Sequence, residues 1–407
     1  MSRTAIAHPG RHRVVVTGLG AVTPIGQTVE TFWSAALAGT VGTGPITLLD
    51  VTDFPCGLGG EITEFAAGPQ RVARLATAAA VQAADDAGEG AWAGDPTRIG
   101  ACIGSLNGNR GDFEPYAVQF HRAEITAPHD GSRVSPPMVK ISDSVCSTLG
   151  LLGPSLVVST ACASGNTALG HAADAIAAGR ADVMIAGAAD EMSLGILITF
   201  TTLRSLAHDC VRPFDRDRSG LLIAEGAAAL VLESYDHARD RGARIYAELA
   251  GWSSFADAHS MVAPHPQGVG ARRAMEGALA HARIPSHSVD FISAHGTGTP
   301  SNDSVESAAI RKVFGSSTPA VSSLKGAMGH PQGAGSAIEA VACVLAIRDQ
   351  VVPPTANLTA PDPECAMDHV MGVARRMPVS VALNNAFGFG GNTACTVFTR
   401  LDGEEIR

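Results

Sequence analysis

Short apolar runs alternate with longer segments rich in alanine and charged residues along this chain of 407 residues. A continuous apolar run predicts a buried strand, and a longer segment of small or amphipathic character predicts a helix. The predicted strands cover residues 13–17, 98–104, 182–187, 224–233, 245–252, 289–294, 319–323, 379–385 and 393–400. The predicted helices cover residues 28–38, 70–87, 139–149, 163–178, 272–282, 301–314 and 334–347. This alternation indicates an α/β fold.

The pattern repeats weakly between the two halves of the chain. In each half a short strand, a turn, one reactive residue and a helix of small residues follow one another. The reactive residue is Cys162 in the first half and His330 in the second. Because the chain is too long for one simple core, we divide it into residues 1–250, with the candidate cysteine, and residues 251–407, with the candidate histidines.

Composition and charge narrow the class of protein. A formal net charge of −10 argues against a nucleic-acid-binding surface. Residues 1–13 have basic side chains but no apolar core of signal-peptide length, and no apolar stretch is long enough to span a membrane. The eight cysteines lack CxxC spacing, which favours free thiols in a reducing compartment. We expect a soluble, cytoplasmic protein that binds neither nucleic acid nor a membrane.

Cys162 stands where an apolar run gives way to a small-residue helix that begins at Ala163. This order places the sulfur in a sharp strand-to-helix turn, at the N-terminus of the helix. The helix dipole and the free backbone N–H groups at such a position favour the thiolate over the thiol. We therefore expect a nucleophile that attacks an acyl group.

Two histidines accompany this cysteine. His295 and His330 both follow predicted strands and lie among glycines, where backbone can approach a ligand closely. Their spacing from Cys162 fits no metal motif, and no carboxylate cluster joins them, so we predict no metal site. A papain-like pair of one cysteine and one histidine stays open on spacing alone, although it leaves the second histidine without a role.

Four motifs occur in a fixed order along nearly the whole chain. They are residues 160–165 (TACASG), 295–299 (HGTGT), 325–330 (KGAMGH) and 388–391 (GFGG). This ordered set resembles the β-ketoacyl-acyl-carrier-protein synthases of the elongating type II class, and equally the ketosynthase subunits of bacterial type II polyketide systems, all of the thiolase superfamily. The resemblance implies a thiolase-like α/β fold, with duplicated halves in five layers (αβαβα), and usually a dimer.

The resemblance also implies roles for the reactive residues. Cys162 would take the growing acyl chain as a thioester. His295 and His330 would drive the decarboxylation of malonyl-carrier protein and stabilise the enolate. The backbone N–H groups of Cys162 and Phe389 would form an oxyanion hole, and the Phe389 ring would act as a gate.

Further residues match the family pattern. Lys325 would set the electrostatics near His330, and Glu339 would pair with that lysine. Thr297 and Thr299 match positions that contact the pantetheine arm. We interpret Asp303 as a helix cap rather than as a catalytic residue.

The resemblance implies that acyl carrier protein is the partner and that phosphopantetheine of that partner carries the substrates, with no other cofactor. Carrier proteins are acidic, so docking needs a basic patch, for which Arg71, Arg74 and Arg204 are the candidates. The protein would form a homodimer, or a heterodimer with a chain-length-factor-like homologue.

Departures from the family pattern bear on the pathway. Residues 104–109 lack the glycine run common in fatty-acid members, and Ser260 stands where many members have histidine. The polar, irregular residues 108–137 predict an insertion over a site or an interface. We expect a β-ketoacyl synthase of a specialised polyketide or polyene pathway, with housekeeping fatty-acid elongation as the alternative.

Three other functions remain as alternatives. A catalytically silent chain-length-factor-type partner usually lacks the active cysteine, and a non-decarboxylating acyltransferase of this kind often lacks one histidine. A degradative thiolase uses a second cysteine near the C-terminus, and Cys395 is the residue in that region. Since Cys395 lies within a predicted strand, we interpret it as a packed thiol.

Overall fold

A computed structural model describes residues 12–114 and 138–401 of the chain. In this part, eleven strands form one continuous mixed sheet, and four two-residue strands form two small ladders beside it. The strands are β1 (Val14–Val22), β2 (Gly44–Pro45), β3 (Leu58–Gly59), β4 (Ile99–Gly104), β5 (Ser155–Val158), β6 (Val183–Asp190), β7 (Gly226–Ser234), β8 (Ala247–Ala256), β9 (Phe291–Ser293), β10 (Ala320–Ser322), β11 (Val351–Val352), β12 (Asp368–His369), β13 (Arg375–Arg376), β14 (Val381–Phe387) and β15 (Asn392–Thr399).

Ten α-helices connect these strands within the described residues. They are α1 (Val29–Ala38), α2 (Arg71–Ala87), α3 (Val139–Leu149), α4 (Ser164–Ala177), α5 (Leu194–Thr202), α6 (Tyr235–Asp240), α7 (Val269–Ala282), α8 (Pro300–Phe314), α9 (Lys325–Met328) and α10 (Gln332–Asp349). Helix α1 starts as its sequence predicts, because the Thr28 hydroxyl accepts a hydrogen bond from the Thr31 backbone N–H. None of the helices in the described ranges is long and apolar enough to cross a membrane.

The order of strands in the sheet reveals a duplication. The first half runs β5-β4-β6-β7-β1, and the second half runs β10-β9-β14-β15-β8, with strand β12 added at its edge. In both halves the first two pairings are parallel and the next two are antiparallel. Strand β5 before Cys162 therefore corresponds to β10 before His330, and the predicted similarity of the two halves is confirmed.

Helices lie on both faces of each half-sheet. Helices α4 and α10 contact each other and strands of both halves, whereas α2 covers the first half-sheet and α7 covers the second. The two central helices approach closely at Gly165, where a Cβ atom would lie 2.5 Å from the Ala337 backbone nitrogen. The result is the expected five-layer αβαβα arrangement, with the reactive residues at the starts of the central helices.

Strand β1 is longer than predicted. The expected end at Thr17 is wrong, because the strand continues through Gly18 and Gly20. A Cβ atom at Gly18 would lie 2.1 Å from the Ala83 carbonyl oxygen, and one at Gly20 would lie 1.9 Å from the Ala79 carbonyl oxygen. These glycines allow helix α2 to pack directly on the strand rather than forming a turn.

Two other predictions concern boundaries. The predicted division at residue 250 falls inside β8, whose pairing with β15 places it in the second half. Most of the predicted insertion, residues 115–137, lies outside the described residues.

Candidate active site

Cys162 occupies a sharp turn between β5 and α4. The preceding residue, Ala161, has a φ of 53°, which is a left-handed backbone conformation that is costly for a residue with a side chain. Ser164 holds this turn, because its hydroxyl donates to the Ala161 carbonyl at 2.6 Å and accepts from the Thr160 backbone N–H at 3.0 Å. The strain is thus stabilised locally, and the turn places the buried sulfur at the start of the helix.

The loop after β14 lies directly against this turn. A Cβ atom at Gly388 would lie 2.8 Å from the Cys162 backbone nitrogen and 2.9 Å from the Ala161 Cβ. Only glycine allows this approach, which brings the backbone N–H of Phe389 close enough to the sulfur to favour its charged form, as the N–H of Cys162 also does. These are the two donors predicted for the oxyanion hole.

Folding brings the sulfur and both imidazoles together. The Nε2 atom of His330 lies 3.1 Å from the Sγ atom of Cys162. One ring nitrogen of each histidine and the sulfur all lie within 4.8 Å of one another, and all three residues are buried. The two imidazole rings meet edge to face, with centroids 5.4 Å apart.

Backbone hydrogen bonds fix both histidines. The His295 and Gly296 backbone N–H groups each donate at 2.8 Å to a different oxygen of Glu306, a buried carboxylate on α8. The His330 backbone N–H donates to the Leu222 carbonyl at 2.8 Å. These bonds fix the backbone from which each ring extends toward the sulfur.

The resting charge of the sulfur differs from the sequence-based expectation. Burial raises the pKa of the Cys162 thiol to about 12, although Lys325 and the two backbone N–H groups act in the opposite direction. The predicted preference for thiolate is wrong for the resting site, because desolvation outweighs the helix N-terminus. Attack by this sulfur needs a base, and His330 Nε2 is in contact with it.

Both imidazoles are neutral near pH 7. Burial, and after it the Lys325 charge, lower the pKa of His295 and of His330 well below the ordinary value, and His330 lowers the pKa of His295 further. The Lys325 ammonium is buried and forms an ion pair with Glu339 at 2.5 Å. Neutral imidazoles can accept the thiol proton, and each retains one N–H to donate.

The sulfur and two imidazoles are also ligand types that bind zinc. Lys325 acts against this use, because its positive charge disfavours another cation at the same buried site. We keep the prediction that the site works without a metal ion.

A pocket with a volume of about 100 Å³ leads from the surface to this cluster. Thr297 and Thr299 both line it, and their hydroxyl oxygens lie 2.8 Å apart. Ser260 lines it as well. The Phe389 ring stands at the pocket wall and packs against the Phe200 ring, with centroids 5.6 Å apart. The predicted pantetheine and gate residues are thus on the entrance path, and their roles stay predictions.

Asp303 is not a helix cap. Helix α8 begins at Pro300, so Thr299 holds the cap position and Asp303 lies one turn inside the helix. Its buried carboxylate accepts hydrogen bonds from the backbone N–H groups of Phe214 at 2.8 Å and Gly298 at 3.2 Å. It therefore fixes the loop that holds the two pocket threonines.

The three candidate docking arginines differ in exposure. Arg71 is only 5% exposed, and its guanidinium forms two hydrogen bonds with Glu225, at 2.6 and 2.7 Å. Its prediction as a docking residue is wrong, since it compensates a buried carboxylate that is distant in sequence. Arg74 is partly exposed and donates to backbone carbonyls of residues 66–69, and Arg204 is exposed. Those two remain predictions.

Two buried carboxylates behind the site were missed from the sequence. Glu306 holds the His295 segment, and Asp190 accepts hydrogen bonds from both sides of the site. The available signal was an acidic residue at the end of a buried apolar strand, Val183–Asp190, where an unpaired charge would be costly.

Comparison with known proteins assigns this fold and site to one class of enzyme. Residues 11–238 match the N-terminal domain of β-ketoacyl synthases, and residues 246–359 match the C-terminal domain. The chain belongs to the β-ketoacyl synthase family and is an acyltransferase of the ketosynthase type. One relative, a 3-oxoacyl-[acyl-carrier-protein] synthase 2 of Synechocystis, is 38% identical over 97% of this chain and 100% of its own length.

Solved structures give the same result. A ketosynthase/chain length factor described for ishigamide is 35% identical, with a TM-score of 0.90 over 96% of this chain and 100% of the other. A type II polyketide acyl-carrier protein in complex with its ketosynthase bound to the hexaketide, named AntDE:AntF, is 33% identical, with a TM-score of 0.89 over the same shares of the two chains. The 3-oxoacyl-[acyl-carrier-protein] synthase and the two ketosynthase structures thus lie within a narrow range of identity to this chain, from 33% to 38%.

Proposed function

We propose that this protein condenses an acyl chain, held on Cys162, with malonyl-carrier protein by a decarboxylative Claisen reaction. The contact of 3.1 Å between the sulfur and His330 Nε2, inside a cluster that includes His295, is the observation that carries the proposal. In the first half-reaction the sulfur adds to the acyl thioester carbon while His330 takes the S–H proton. The carrier thiolate then leaves and takes up that proton.

In the second half-reaction malonyl-carrier protein loses CO₂, and the electron pair of the broken C–C bond forms an enolate. The neutral rings of His295 and His330, with the His330 proton now on Nε2 instead of Nδ1, donate N–H hydrogen bonds to the enolate oxygen, which supports charge development there. The enolate carbon attacks the Cys162 thioester, and the sulfur leaves as a thiolate that takes up a proton from water to restore the thiol. The backbone N–H groups of Cys162 and Phe389 stabilise the tetrahedral oxyanion, and the product is a β-ketoacyl chain longer by two carbons.

We infer that acyl carrier protein delivers both substrates, with its phosphopantetheine arm passing Thr297 and Thr299, and that no other cofactor takes part. Arg74 and Arg204 are the remaining candidates for its docking. The AntDE:AntF structure, which pairs a ketosynthase with its acyl-carrier protein, supports this partner. The ishigamide structure, a ketosynthase/chain length factor, supports a heterodimer as an alternative to a homodimer.

We further propose a specialised polyketide or polyene pathway. Residues 104–109 lack the glycine run of fatty-acid members, and Ser260 replaces a common histidine at the pocket. The similarity to a 3-oxoacyl-[acyl-carrier-protein] synthase 2 supports fatty-acid elongation as the second candidate. Competition between saturated and β-keto or polyunsaturated acyl-carrier proteins tests the choice, and a clear preference for saturated chains would reject the specialised pathway.

His330→Ala tests the division of roles. We expect some acylation of Cys162 to survive, because the backbone donors remain, whereas release of CO₂ from malonyl-carrier protein stops. His208→Ala is the matched control, since His208 is exposed and its variant should decarboxylate at the wild-type rate. Wild-type decarboxylation by His330→Ala, measured as labelled CO₂, would overturn the proposed role.

A further inference from the structure

Two consecutive carboxylates, Asp190 and Glu191, end strand β6 behind the active site. Asp190 is fully buried and Glu191 is 5% exposed. Both accept backbone hydrogen bonds from the loop that follows β4, which is the loop whose sequence departs from the fatty-acid members. Of these two carboxylates, only Asp190 accepts a hydrogen bond from helix α10, which starts two residues after His330, among the residues that the structure describes.

The Asp190 carboxylate joins two segments of the active site. From the loop after β4 it accepts hydrogen bonds from the Ser105 hydroxyl at 2.8 Å, the Leu106 N–H at 3.0 Å and the Asn107 N–H at 3.1 Å. From α10 it accepts a hydrogen bond from the Gly333 N–H at 2.8 Å. One buried carboxylate thus fixes the distance between this loop and the helix that starts after His330.

Gly333 stands where the two reactive segments meet. It is three residues after His330, and a Cβ atom there would lie 2.8 Å from an Asp190 oxygen and 3.1 Å from the Ser164 Cβ. Ser164 in turn holds the strained turn of Cys162. The intervening Gln332 has a φ of 43°, so the start of α10 is itself strained and needs a fixed partner.

We propose that Asp190 is a positioning residue that holds the start of helix α10 in the one arrangement that keeps His330 Nε2 in contact with the Cys162 sulfur. This inference rests on the proposed role of the cysteine–histidine pair. It extends that role to a residue that touches neither substrate nor the reacting atoms. A chemically equal change at Glu191, which within the described part of the chain accepts only from the Gly111 N–H at 2.8 Å, should not disturb the pair.

The rate at which iodoacetamide alkylates Cys162 at pH 8 reports on the contact between this sulfur and His330, and it does not require condensing activity. Intact-protein and peptide mass spectrometry measure that rate. We expect Asp190→Asn to slow alkylation on the order of tenfold, which corresponds to ~1.4 kcal/mol. The negative charge of Asp190 by itself raises the pKa of the thiol, so loss of charge alone would speed the reaction. Slowing is therefore specific to displaced geometry.

Three comparisons make the test decisive. Glu191→Gln should alkylate within about twofold of wild type, since a neutral change one residue away leaves α10 in place. Gly333→Ala pushes the helix away from an intact carboxylate, so its Cys162 should be alkylated as slowly as that of Asp190→Asn. If Asp190→Asn does not fold, Gly333→Ala takes its place in the test. In a His330→Ala background, Asp190→Asn should cause no further slowing. Two results would overturn the proposal. One is that Asp190→Asn slows alkylation equally with and without His330, and the other is that neither Asp190→Asn nor Gly333→Ala slows alkylation when His330 is present.

Discussion

Gly388→Ala should weaken the oxyanion hole without removing any functional side chain. Gly388 has a φ of −121°, so alanine adds no backbone strain and acts only through its Cβ atom. That atom would lie 2.8 Å from the Cys162 nitrogen, 2.9 Å from the Ala161 Cβ and 3.0 Å from the Thr160 carbonyl oxygen. To move from 2.8 Å to 3.4 Å, where ordinary contact begins, the loop must retreat by about 0.6 Å and take the Phe389 N–H with it.

Full loss of one oxyanion-hole donor costs about 10²–10³ in rate, and a partial retreat should cost about tenfold to hundredfold. Overpacking should also lower the free energy of unfolding by ~1–3 kcal/mol. The assay is the single-turnover rate of acyl transfer to Cys162, followed by intact-protein mass spectrometry. Gly44→Ala is the control, because a Cβ atom there meets nothing within 4 Å. If Gly388→Ala transfers the acyl group at the rate of this control, the Phe389 N–H is not part of the site.

Other predictions concern charge and burial. Because the pKa of Cys162 is about 12, its alkylation rate should keep rising from pH 7 to pH 9, and a plateau at or below pH 8 would contradict a buried neutral thiol. Burial raises the pKa of Glu191 from 4.5 to about 7, so its stabilising contribution is present below pH 4.5 and is lost as pH rises through 7. Glu191→Gln should therefore have a higher free energy of unfolding than wild type at pH 8, by at most ~3 kcal/mol, but not at pH 4.5. Thermal unfolding at pH 8 and at pH 4.5 tests this. Arg71→Met should lower the free energy of unfolding by about 3–5 kcal/mol, because it leaves Glu225 buried and unpaired, whereas Arg74→Ala should change it by less than about 1 kcal/mol. Similar denaturant midpoints for these two variants would refute that burial argument.

Local patterns were sufficient for most of the fold. The run of small residues after Cys162 predicted helix α4, and Thr28 predicted the start of α1, because capping and periodicity act over a few residues. The predicted end of β1 at Thr17 was wrong because the glycines that follow it serve close packing against helix α2, which is distant in sequence. Conformational freedom and close packing both select glycine, and only the fold tells them apart.

The site was predictable where a motif surrounds the residue and unpredictable where a distant partner decides its state. Arg71 resembled a surface charge until the fold placed Glu225, 154 positions later, against it. Desolvation of Cys162 likewise depends on the whole fold, so the helix N-terminus alone gave the wrong resting charge. Asp190 belongs to no chemical motif, and its partners come from segments 83 to 143 residues away.

The identity of the acylated atom tests the account most directly. Wild-type protein and Cys162→Ala, each incubated with an acyl-carrier protein, should differ by one acyl mass in intact-protein spectra, and peptide mapping should locate that mass on Cys162. The same adduct on Cys162→Ala, or an adduct on any other residue of the wild type, would contradict the claim that this sulfur, held by His330, carries the chain.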